Sequence, residues 1–92
     1  MRLNKTTQIE QFVINTARYK RMQKSISQSE LAHLLNVSPG FIGKVESPKY
    51  SSKYNLNHIN KLAEIFKCSP QSFLPDDIVE HSDERSSESA VG

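Results

Sequence analysis

The sequence has no tryptophan, a single cysteine and three glycines, one of which is the last residue. One cysteine excludes an internal disulfide and agrees with a reducing compartment. No apolar run reaches the ~20 residues that a membrane-spanning helix requires. The opening MRLNKTTQIEQ is too polar for a secretory leader. A cytoplasmic protein with no membrane association is therefore expected. His33, His58, His81 and Cys68 show no ligand spacing, so no metal and no other cofactor is expected. No nucleophile is grouped with a base and an orienting acid, and there is no glycine-rich phosphate loop. An enzyme is not expected.

What remains suits one small domain. The chain has 92 residues, 36% of them hydrophobic, enough for a compact helical core and little more. Its formal charge of +2 conceals a split. Residues 1–75 carry eleven Lys/Arg against four acidic residues, a net +7, whereas residues 76–92 carry six acidic residues against Arg85, a net −5. A basic body of this kind favours a polyanionic partner.

Along the chain, residues 1–5 read as a short basic arm with Arg2 and Lys5. Thr7 to Glu10 is a capping box, and the spacing predicts a helix from there to about Lys24. Its apolar positions are Ile9, Phe12, Val13, Thr16 and Ala17. Ser27 to Glu30 is a second capping box. After Glu46, Ser47 to Tyr54 has no helical period and reads as a polar loop. Asn55 can cap a further helix with Leu56, Ile59, Leu62, Ala63 and Phe66 on one stripe. Ser69-Pro70 then starts a short fifth helix placing Phe73 and Leu74 on the core, and Pro75 stops it. From Asp76 the composition turns acidic and serine-rich, which reads as a disordered tail. The competing reading is a short helix over Asp77 to His81 that packs Ile78 and Val79.

The most informative stretch is SQSELAHLLNVSPGFIGKVE, Ser27 to Glu46. Leu31, Leu34 and Leu35 share one helical face, and Ile42 and Val45 share another. Between them, Asn36 suits a left-handed turn and Val37 points back into the angle. Ser38 can cap the next helix with Pro39 at its first position. Small Ala32 allows a close helix crossing. This is a helix-turn-helix pattern, with its two helices at about 28–35 and 39–46.

That run, followed by a loop and LNHINKLAEIFKCSPQSFL, resembles the Cro/C1-type helix-turn-helix family, also called the xenobiotic-response-element type. The likeness covers roughly Thr6 to Leu74. It rests on the SQxELA opening, the VS corner, the I-x-x-V-E end and LAxxF followed by C-S-P-x-x-F-L. Asn36 stands where the family often has Gly, and Lys20 where it usually has Leu. The resemblance implies an all-α, compact five-helix bundle of the lambda-repressor-like type over residues 6–75. It also implies duplex-DNA binding as a homodimer, with the 39–46 helix in the major groove, which is about 12 Å wide and admits one helix.

Under that resemblance, Pro39, Gly40, Phe41 and Lys44 face base edges. Lys44 is the one long donor, while Pro39 and Gly40 offer only shape. Phe41 has two readings, contact with thymine methyls or packing on the motif or the loop. Gln28, by family position, and Ser38 meet the DNA backbone. Lys49, Tyr50, Lys53 and Tyr54 in the loop are candidate phosphate donors. Arg21 and Glu46 occupy positions that form a structural salt bridge in similar proteins. Three functions follow in order of support. The first is a sequence-preferring transcriptional regulator of the repressor kind. The second is an antitoxin or other interaction module whose acidic tail binds a partner protein. The third is a nucleoid or accessory protein of little specificity.

Overall fold

Thr7 begins the first helix by a reciprocal pair of bonds: Glu10 N–H donates to its hydroxyl at 3.3 Å, and Thr7 N–H donates to the Glu10 carboxylate at 2.9 Å. The computed structural model describes residues 5–80. Arg2 of the expected arm, and His81 with the remainder of the expected acidic tail, lie outside the described residues. Four α-helices follow in order: α1 Gln8–Gln23, α2 Gln28–Leu35, α3 Phe41–Glu46 and α4 Leu56–Phe66. A 3-10 turn, Pro70–Phe73, closes the series, and no strand occurs among the described residues.

The expected fifth helix is thus a single 3-10 turn, and the described residues form four α-helices rather than five. The prolines explain it. Pro75 bars its predecessor from the helical region, and Leu74 is extended at φ −111, ψ 152. Only four residues are left to coil, so Ser72 and Leu74 N–H groups close short bonds to Ser69 and Gln71 carbonyls. Beyond it, Asp76 to Glu80 forms no helix, and Ile78 is 98% exposed.

Three helices end alike, each on a non-glycine residue in left-handed backbone. These are Ser25 (φ 55) after α1, Asn36 (φ 61) after α2 and Lys67 (φ 57) after α4. In each case the next N–H reaches back five residues: Ile26 to Arg21, Val37 to Ala32 and Cys68 to Ala63, all at 3.0–3.1 Å. Ile26, Val37 and Cys68 then pack partly against the core. The bond satisfies a helix-end carbonyl, and the apolar contact seals the turn. Asn36 plays the part expected of it.

The largest fully buried side chains are Ile14, Leu31, Ile42, Leu62 and Phe73. Helix α2 packs on α3 and α4, while α1 packs on α3 and the 3-10 turn. That arrangement rotates α1 away from the expected face. Val13, Ile14 and Ala17 are buried, whereas Ile9 and Phe12 are exposed. Leu34 and Leu56, expected in the core, are exposed as well. Lys20, standing where the family usually has Leu, places its Nζ over the Phe73 ring, 5.4 Å from the centroid. No helix among the described residues is long and apolar enough to cross a membrane.

Candidate nucleic-acid interface

Ile42 and Val45 anchor α3 from behind, at 0% and 3% exposure. With helical spacing, their burial turns Lys44 outward, and Lys44 is exposed together with Ser38, Pro39 and Gly40. The helix itself starts later than the spacing predicts. Phe41 N–H donates to the Ser38 carbonyl at 3.0 Å, closing a turn over Pro39 and Gly40. Gly40 stands at the cap position, and no side chain caps α3. Ser38 is therefore a turn residue and not the cap of this helix; Pro39 lies before the helix.

Glu46 organises the junction of three helices. Arg21 of α1 donates Nε and Nη2 to its two carboxylate oxygens, each at 2.9 Å, and Nη1 to the Ile26 carbonyl at 2.7 Å. The expected pair is present and bidentate, with side chains only 12% and 3% exposed. Gln28, the first residue of α2, donates its amide to Glu46 Oε1 at 3.0 Å. Arg18 Nε approaches the same oxygen at 3.7 Å while remaining largely exposed. Two members of this cluster, Gln28 as a Glu46 partner and Arg18, escaped the sequence reading. Arg18 stands three residues before Arg21, whose pairing with Glu46 was read from the resemblance alone, and a bond from Gln28 to Glu46 leaves no local signal.

The loop after α3 divides. Lys49 and Tyr50 are exposed, and Lys44 Nζ sits 5.7 Å from the centre of the Tyr50 ring, which holds the lysine beside the loop. Lys53 and Tyr54 are engaged elsewhere. Lys53 Nζ pairs with the Glu10 carboxylate at 2.9 Å. Burial opposes ionisation of Glu10, but Lys53 and the Thr7 bonds outweigh it and hold its pKa below the ordinary value. Tyr54 is 7% exposed and belongs to the core. It cannot reach a phosphate from there, and burial pushes its phenol pKa upward. The expected phosphate role of Tyr54 is corrected on that ground.

Phe41 takes the packing reading. Half-buried, it lies 5.2 Å from the His58 ring and 6.2 Å from that of Tyr54, edge-on to the latter. It braces the start of α3 against α4. Lys44, Lys49, Tyr50, Gln28, Ser38, Pro39 and Gly40 thus stay at the surface, and Phe41 and Tyr54 turn inward. Among the described residues no cluster of His, Cys, Asp or Glu is arranged to hold a metal ion.

Comparison with known proteins agrees with this geometry. The family model described as "Helix-turn-helix" matches residues 18–73, more than half of the chain. No curated protein matches. Among solved structures, the chain is similar to a hypothetical transcription factor, NHTF, from Neisseria. The TM-score is 0.62 at 22% identity, over 73% of this chain and 75% of that one. At that identity the likeness is one of fold.

Proposed function

We propose that this chain, which belongs to the Cro/C1-type helix-turn-helix family of DNA-binding transcriptional regulators, represses transcription by occupying an operator in duplex DNA as a homodimer. The observation that carries the reading is the attitude of α3. Buried Ile42 and Val45 fix it from behind, and its outer side, at Gly40 and Lys44, is left to solvent. Such a helix enters the major groove while the preceding helix crosses the backbone.

The roles divide by chemistry. Lys44 supplies the long donor to base edges, with guanine O6 and N7 as its natural acceptors. Pro39 and Gly40 contribute shape. Gln28, Ser38, Lys49 and Tyr50 meet phosphates, and this positions α3 without reading sequence. Glu46 holds the Gln28 amide in place through the 3.0 Å bond. Repression by occupancy requires no further domain, only a site overlapping the start of transcription. A dimer supplies the reading length that one six-residue helix lacks. Exposed Leu74 and Ile78 are available to its interface; Phe73, fully buried, is not.

The test is selection of a preferred duplex from a random pool. Binding of the winner and of an unrelated duplex is then measured against salt, with light scattering of the complex. The expected result is a preference of ~10³-fold or more, with a steep salt slope and two chains per duplex. Failure to bind any duplex overturns the proposal.

A further inference from the structure

The charge on Glu46 is balanced without Arg18. Arg21 donates to both carboxylate oxygens at 2.9 Å, and the Gln28 amide donates a third bond to Oε1 at 3.0 Å. Arg18 approaches that oxygen only at 3.7 Å, through Nε, and its side chain is 56% exposed. This is beyond hydrogen-bond range, and an exposed pair of that kind adds almost nothing to stability. One carboxylate and two guanidinium groups leave the cluster with a surplus positive charge, and the surplus sits at the surface on Arg18. With Nε turned to Glu46, the forked Nη1 and Nη2 end is left to solvent.

We infer that Arg18 is a phosphate-binding residue of the interface and holds the same backbone phosphate as Gln28, with Glu46 fixing the distance between the two. The inference rests on the DNA-binding reading above and adds a residue to it. Gln28 Nε2 and Arg18 Nε lie 3.0 and 3.7 Å from one oxygen, Glu46 Oε1, so the two nitrogens are within ~7 Å of each other. Two donors that each stand about 2.8 Å from different oxygens of one phosphate can be that far apart. The Gln28 amide keeps a second N–H for the phosphate, and the guanidinium fork matches two phosphate oxygens at once. Glu46 also sets direction. Its negative charge holds the near edge of the guanidinium, so the remaining donors point outward before DNA arrives. Because the contact is to a phosphate and not to a base, it adds affinity and salt dependence on every duplex and selects none.

The experiment uses the full chain, the duplex the wild type selects and an unrelated duplex, with binding measured at several salt concentrations. Arg18→Met keeps the alkyl stem and removes the charge and every donor. It should melt as the wild type does. On both duplexes it should lower the salt slope by about 0.9 per bound chain, which at 0.1 M salt is a roughly tenfold loss of affinity. Arg18→Lys should restore the slope. Gln28→Ala should also weaken both duplexes, and the double variant should lose less than the two single losses combined, since both residues hold one phosphate. Lys61→Met removes an exposed lysine of α4 that pairs with Glu64. It controls for charge alone and should leave the slope nearly unchanged. The inference is overturned by an unchanged slope in Arg18→Met, by an equal fall in Lys61→Met, or by failure of Arg18→Lys to restore the slope. Additive losses in the double variant overturn it too, as does a clearly lower melting temperature in Arg18→Met. If the wild type binds no duplex, the DNA-binding reading falls and takes this inference with it. A wild type that binds with a steep slope, matched by Arg18→Met, overturns the inference alone.

Discussion

Tyr54 shows how little a residue's type says about its use. A tyrosine between lysines in a polar loop suits phosphate contact, yet its ring is buried beside Phe41 and His58. Among the described residues its hydroxyl is a buried side-chain polar atom without a hydrogen-bond partner. An unmatched buried hydroxyl costs stability that phenylalanine would not. Tyr54→Phe should therefore match or exceed the wild type in stability, by up to about 1 kcal/mol, and leave DNA affinity unchanged. A loss of affinity with an unaltered melt would return Tyr54 to the interface. His58, its neighbour, makes the cap of α4 sensitive to pH. Its Nδ1 accepts the Asn55 N–H at 3.0 Å, while Asn55 Oδ1 accepts the His58 N–H at 2.8 Å. Burial lowers its pKa below the ordinary 6.5, and a proton on Nδ1 would break the cap. The unfolded chain then binds the proton more readily than the folded one. The stability His58 contributes is complete above about pH 6.5 and is lost as pH falls through its lower folded pKa. Melting temperature should fall on that limb. His58→Gln, which keeps a capping acceptor but does not titrate, should flatten the fall.

Among the elements, the helix ends were the most legible and the helix faces the least. The caps at Thr7, Ser27, Asn55 and Ser69 all accept the expected backbone bonds, although Ser27 makes only the forward half of its box. A cap is a contact over two or three residues, so its information lies within one short window. The face of α1 is different. Ile9 and Phe12 fit the helical period as well as Val13 does, and only the positions of α3 and the 3-10 turn decide that Ile14 is buried in their place. The left-handed ends at Ser25 and Lys67 also went unread, since neither residue favours that conformation. They are held by the backward bonds and by Ile26 and Cys68. Lys67→Gly relieves the backbone cost while sparing Ala63 and Cys68. It should stabilise the protein by roughly 0.5–1 kcal/mol, a rise of a few degrees in melting temperature. An unchanged or lower melt would show that the Lys67 side chain contributes more than its backbone costs.

At the scale of the whole molecule, the sequence by itself determined an all-helical chain with a helix-turn-helix at its centre, and the family to which it belongs. It did so because capping bonds, the Asn36 corner and the apolar spacing of α2 and α4 are all local and leave their pattern in consecutive residues. It also placed the excess positive charge in residues 1–75 and named the Arg21–Glu46 pair through the resemblance. Only the tertiary structure decided which of those charges, and which uncharged polar groups beside them, remain free. Lys53 is claimed by Glu10 from the start of α1, and Gln28 is tied to Glu46, 18 residues away. It also decided that Phe41 braces α4, and that Gly43 lies against the Gln28 side chain. These outcomes depend on how helices distant in sequence cross. A crossing is set by the packing of the entire core, which no short window of sequence contains.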